Sequence, residues 1–208
     1  MTMTFSVNAS FDSDESFYPW DGGGNTSNSA VDSASEEFHF LTEKLSIPTF
    51  EDILQRPRLG EMMEKSLSQF GATLISGRSG TGKTALAAGF ANNRRKVAWY
   101  SVESADVDWR VFSRYFSTSL SRTLADSNLV SETPQKNSDV SRVTIERFRD
   151  EIFARIDAEP HREPRLIVLD DLHHIFDAAW FGEFFNLLLY SLRDNTHLLL
   201  LCRSRPPN

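Results

Sequence analysis

The sequence predicts an α/β domain built on a mainly parallel sheet, and three observations predict it. Short apolar runs alternate with helical patterns between residues 72 and 203, in the order strand, helix, strand, helix, strand, helix, strand. The runs are continuously apolar, as in strands covered on both faces. The first run, "ATLIS", feeds directly into the glycine-rich loop Gly77-Arg78-Ser79-Gly80-Thr81-Gly82-Lys83-Thr84, which opens a helix. Four strands are recognisable, enough for an incomplete three-layer sandwich.

Residues 1–45 are rich in Ser, Asn, Asp and Gly. They offer too little apolar surface to offset the entropy of ordering and are expected to form a disordered acidic tail. Its scattered aromatics, Phe5, Phe11, Phe17, Tyr18 and Trp20, make a docking motif or nothing at all. Of the chain's 29 acidic and 22 basic residues, eight acids and Lys44 alone among the bases fall in this tail, leaving 21 of each. A neutral body and an acidic tail give no electrostatic footprint for nucleic acid, so direct binding to it is not expected.

From residue 46 the texture is that of a folded domain. "FEDILQRPRLGEMMEKSLSQF" is expected to be helical on both sides of an interruption at Pro57, with Leu59, Met63, Leu67 and Phe70 at helical spacing. After the loop, Leu86 and Phe90 share a helix face that stops at Asn92-Asn93. "KVAWYSV", residues 96–102, is the second strand. Phe112, Phe116 and Leu120 mark a helix over about 107–124; a polar loop follows, then a helix carrying Ile145, Phe148, Ile152 and Ile156. "RLIVLDD" is the third strand, residues 178–193 the last helix and "THLLLLCR" the fourth strand. Trp99, Tyr100, Trp180, Phe181, Phe184 and Phe185 are read as core.

A lone cysteine, Cys202, excludes an internal disulfide and fits a reducing compartment. The N-terminus lacks the basic and apolar regions of a signal peptide, and no apolar run has the ~20 residues of a membrane span. The chain is expected to be cytoplasmic.

A glycine loop after a strand and before a helix is the context of a phosphate-binding P-loop. Its backbone amides from Ser79 to Thr84 would wrap phosphates at a helix N-terminus. Gly77, Gly80 and Gly82 permit the turn, Lys83 neutralises β- and γ-phosphate charge, and Thr84 ligates Mg²⁺. Asp170, ending a buried strand, reaches the Mg²⁺ shell. Asp171 either positions the attacking water or caps the next helix. Arg203 ends the fourth strand, where it either stabilises phosphate charge or is solvated; Arg205 is a weaker candidate. His173 either orients an aspartate or is structural, and Glu103 and Asp106 face the site or are solvated.

Together, "RPRLGEMMEKSL", "ATLISGRSGTGKTALAAGFA", "VAWYSVESADVDWRVFSRYF", "LIVLDDLHHI" and "LLLLCRSRPP" resemble the nucleotide-binding domain of STAND-class ATPases. Within that class they are similar to the large ATP-binding LuxR-type regulators, which include the maltose regulon activator. The Walker A match is generic; the W-Y-S, D-D-x-H and R-S-x-P-P runs are more specific. The resemblance implies a P-loop fold whose fourth strand inserts between the first and third. It implies an ATP/ADP switch reset by slow hydrolysis, with Gly77 to Thr84 as phosphate loop and Asp170 and Asp171 as the paired Walker B acids. His173 and Arg203 would be the following histidine and the sensor arginine, and "QRPRL" (55–59) would line the adenine pocket. Family members continue into a further strand, a lid, a superhelical sensor and a helix-turn-helix, so the chain is expected to be a truncated frame, a domain fragment or half of a split protein.

The expected function is that of a Mg-ATP-binding, slowly hydrolysing regulatory ATPase domain. Its alternatives are a non-hydrolysing nucleotide-binding module that docks a partner chain or itself, and an AAA-type assembly ATPase. A metabolic kinase would need an acceptor-binding motif, and none is visible.

Overall fold

A computed structural model of the protein describes residues 2–3, 41–51, 56–124, 140–159 and 163–204. β1 (Thr2–Met3) is a two-residue strand, antiparallel to Leu74 and Ile75. The four apolar runs form β2 (Ala72–Ser76), β3 (Lys96–Ser101), β4 (Arg165–Asp170) and β5 (Thr196–Cys202), all mutually parallel. The sheet order is β1-β2-β5-β4-β3, so the last strand in sequence lies between the first and third apolar runs.

The helices are α1 (Pro57–Gln69), α2 (Lys83–Ala91), α3 (Trp109–Ser121), α4 (Arg142–Asp157) and α5 (Phe181–Ser191). Pro57 is the first residue of α1; of the helix expected before it, Phe50 and Glu51 carry no regular structure and residues 52–55 lie outside the described residues. The cause is local: proline lacks an N–H, suits the first helical turn and disfavours helix in the residue before it. α3 starts where Asp108 accepts from the Arg110 amide at 2.9 Å, and α4 where Ser141 accepts from that of Thr144 at 3.3 Å.

Side chains alternate across the sheet, giving two cores. On one face Trp99, Leu166, Val168, Leu199 and Leu201 pack with Met63 and Leu67 of α1 and with the small face of α2, Ala87, Ala88 and Ala91. On the other, the Tyr100 ring lies 5.6 Å from both Phe112 and Tyr115 of α3. Behind it Trp109, Phe112, Phe116, Phe148, Trp180 and Phe184 form a continuous aromatic cluster. The aromatics expected in the core are all buried.

Thr42–Leu45, which the sequence places in the tail, forms a turn of 3-10 helix with Lys44 and Leu45 buried. A lysine is buried here because it has found a carboxylate, Asp106. Residues 4–40, the polar loop 125–139 and Arg205 lie outside the described residues.

Phe112 is fully buried and touches five aromatic neighbours. Phe112→Ala is expected to destabilise the domain by about 3–5 kcal/mol through transfer and cavity costs. Urea unfolding checks this, with an unchanged dependence on denaturant showing that the native state is otherwise intact.

Candidate functional site

Parallel register aligns the carboxyl ends of the strands. Ser76 is level with Cys202, and Ser101 with Asp170. The loop after β2, Asp171 after β4 and Arg203 after β5 therefore leave the sheet on one edge, where open α/β sheets form their crevices.

The loop is held at its start by the Gly77 amide, which donates to the Cys202 carbonyl at 3.2 Å. Gly80 and Gly82 have φ of +77° and +78°, a left-handed conformation that side-chain-bearing residues rarely adopt. The Thr81 hydroxyl donates to the Arg78 carbonyl at 2.9 Å. The Lys83 ammonium folds back onto the loop, donating to the carbonyls of Gly77 (2.8 Å) and Arg78 (3.2 Å). Arg78 and Ser79 are exposed on its outer side. α2 begins at Lys83, so the unpaired amides of its first turn and its dipole are presented at the loop.

Asp170 faces this helix start. Its Oδ1 accepts from the Thr84 hydroxyl at 3.2 Å and from the Asp171 amide at 2.9 Å. It is only 4% exposed, and burial pushes its carboxyl above the usual carboxylate range. The Thr84 hydrogen bond opposes that shift, and the charge of Asp171 adds to it. Asp171 is the single described non-glycine residue with positive φ, +53°. Its carboxylate lies 3.6 Å from Arg203 Nε and 3.7 Å from His173 Nδ1, an ion-pair distance for the first and too long for a hydrogen bond to the second. His173 Nδ1 is buried with no hydrogen-bond partner, and the imidazole lies 4.3 Å from that of His174, the rings tilted by 31°. Burial first, and His174 next, hold His173 below the ordinary histidine range.

The structure thus brings together Gly77 to Thr84, Asp170, Asp171, His173 and Arg203. Glu103 is exposed, and Asp106 is fully buried against Lys44. Arg56 was legible only as part of a segment assigned to an adenine pocket. Its guanidinium donates to the Thr81 carbonyl at 3.1 Å and lies 3.4 Å from where a Cβ on Gly82 would stand. The signal that could have found it is Pro57, which starts α1 immediately after it.

The donor set fits a phosphate chain with Mg²⁺. The loop offers backbone amides, a helix N-terminus and one ammonium for anionic oxygens. Thr84 and Asp170 are hard oxygen donors, and Mg²⁺ takes few protein ligands alongside water and phosphate. Among the described residues, no cluster of three or more His, Cys, Asp or Glu side chains is placed to hold a metal by itself.

Residues 55–201 match the AAA ATPase domain family, and the chain belongs to that family. It is also similar to HTH-type transcriptional regulators named MalT. Those of Vibrio parahaemolyticus and Serratia proteamaculans are each 26% identical over 170 residues, 81% and 80% of this chain. That of Vibrio cholerae is 26% identical over 169 residues. The chain spans only 18% of the length of each of these relatives. No described helix is long and apolar enough to cross a membrane.

The raised pKa of Asp170 has a consequence for stability. The unfolded chain loses this proton near the ordinary value of ~3.9, whereas the folded protein holds it to higher pH. The group therefore lowers stability as pH rises from about 4 through its folded pKa. Asparagine keeps both accepted hydrogen bonds without the buried charge. Asp170→Asn is expected to be more stable than the parent at pH 7, with the difference vanishing as pH falls towards 4. Urea unfolding at a series of pH values checks this.

Proposed function

We propose that the chain is a STAND-type regulatory domain that binds Mg-ATP and Mg-ADP and hydrolyses ATP slowly, its bound nucleotide acting as a switch. The observation that carries this reading is the 3.2 Å contact between Thr84 and Asp170, made beside Lys83 on the glycine loop. It joins a hydroxyl from a helix start to a buried carboxylate, the pair of oxygen ligands that a phosphate-bound Mg²⁺ needs.

In this reading the amides of Ser79 to Thr84 hold the β- and γ-phosphates, and Lys83 exchanges its loop carbonyls for phosphate oxygens. Thr84 and Asp170 hold Mg²⁺, which when bound neutralises charge on the phosphates. Asp171 orients water for attack, and Arg203, now beside Asp171, stabilises charge on the transferred phosphoryl group. Gly77 to Thr84 and Asp170 are the nucleotide-binding residues, with Asp171 and Arg203 catalytic. The folded domain is proposed to span residues 46–208, and a cytoplasmic site of action is supported by relatives named as transcriptional regulators. Direct contact with nucleic acid is not proposed for this segment.

A second reading rests on the Arg203–Asp171 approach at 3.6 Å. A carboxylate facing a guanidinium is not free to orient water, which favours a non-hydrolysing module that binds nucleotide and docks a partner chain or a second copy.

Calorimetry with Mg-ATP and Mg-ADP on the purified chain tests both. Micromolar binding is expected, weakened by about 100-fold or more, or ~2.7 kcal/mol, in Lys83→Ala. Absence of binding to the folded parent would overturn both readings. Asp171→Asn and Arg203→Ala are expected to slow turnover by about 10²-fold while leaving ADP affinity within about threefold. Zero turnover in the parent with ADP still bound selects the second reading.

A further inference from the structure

Lys44 lies far from the loop in sequence and carries no motif, yet its surroundings are built. It is 5% exposed, and its ammonium donates to both oxygens of the fully buried Asp106 at 2.8 Å. It also lies 4.4 Å from the centre of the Tyr115 ring and 3.3 Å from Glu103. Two further contacts fasten the same turn: the Leu41 amide donates to the Tyr115 hydroxyl at 3.1 Å, and Arg122 donates to the Leu45 carbonyl. A buried ion pair is a weak source of stability, because desolvation offsets most of the attraction; what it does supply is a fixed geometry.

The geometry fixed here adjoins the acidic pair. Asp106 also accepts from the Glu103 amide at 2.7 Å, closing a capping box around the 3-10 turn Ser104–Val107. Trp180 Nε1 donates to the Val107 carbonyl at 2.8 Å, holding the other end of that turn. The turn packs against a second one, Leu172–Ile175, whose Leu172 and Ile175 are fully buried. Asp171, in its left-handed conformation, is the residue that begins this second turn, and His173 lies within it. Between the two turns, the Val102 amide extends the β3–β4 ladder to the Asp170 carbonyl at 2.9 Å.

We infer that Lys44 and Asp106 are positioning residues for the acidic pair: their buried contact holds the 104–107 turn, which in turn holds Asp171 and His173 at the sheet edge. The inference deepens the nucleotide reading and rests on it for its functional meaning. It also makes the residues just upstream of the domain part of the site's support, so that a change at Leu41–Leu45 reaches Asp171 without touching the phosphate loop.

Lys44→Met/Asp106→Asn tests it. The double variant removes both charges together, keeps the lysine stem's volume, and leaves an amide oxygen to accept from Glu103. Ile152→Ala, a buried position of α4 outside both turns, serves as a core truncation. Hydrogen–deuterium exchange on the whole 208-residue chain without nucleotide is the readout. In the double variant, exchange in 171–175, which includes the His174 amide bonded to the Asp171 carbonyl at 3.1 Å, is expected to speed up by about tenfold. Exchange in α2 and β5 is expected to be unchanged, and Ile152→Ala to show no such local effect. Unchanged exchange at 171–175 overturns the inference. So does acceleration spread evenly over the domain, or failure of the neutral pair to fold, either of which makes the pair a stability element only. Because no nucleotide enters the experiment, a chain that bound none would remove the nucleotide reading without altering this result.

Discussion

The site depends on the insertion of β5 between β2 and β4 in parallel register. β5 is the last strand in sequence, yet it must pair on both sides, Thr73 with Leu199 and Val168 with Leu199, to close the sheet. Only then do the loop after β2 and the acids after β4 stand one strand apart with Arg203 between them. The pairing is long-range, so its loop-closure entropy is offset by strands apolar on both faces, where Leu198, Leu199 and Leu201 are fully buried. Thr84 and Asp170 meet because each ends or begins an element whose position this register sets.

The distribution of buried charge separates scaffold from site. At the amino ends of the strands, Arg165 is buried against Thr123 and Glu159, and Glu159 also pairs with Lys96, so these three charges are matched. At the carboxyl edge the compensation is incomplete. Asp170 is buried beside a second carboxylate, with a hydroxyl and an amide as partners, and His173 keeps an orphaned nitrogen. A buried carboxylate beside a second one, and a left-handed aspartate, are costs carried where a charged ligand is proposed to sit. The chain's similarity to proteins more than four times its length gives the proposed support from Lys44 a context, since a segment adjoining Leu41–Leu45 would reach the acids through it.

Much of this was legible in the residues. The continuous apolar runs determined four buried strands, the glycines with Lys83 and Thr84 determined the loop, and Asp170 and Asp171 were marked by ending an apolar strand. Phe112, Phe116 and Leu120, spaced four apart, determined the face of α3. These signals are local, because strand burial, glycine's conformational freedom and helical periodicity are properties of neighbouring residues. A sequence pattern does not show which side of a proline will be helical: Pro57 begins α1, while residues 52–55 on its other side lie outside the described residues. Tertiary structure alone decided the rest. That Asp106 is a buried partner of Lys44 rather than a site-facing or solvated acid, that Arg56 lies on the glycine loop, and that Arg203 approaches Asp171 are contacts between segments 25 to 62 residues apart. Their pairing is set by how the sheet edge and its turns close in space, which no short-range pattern encodes.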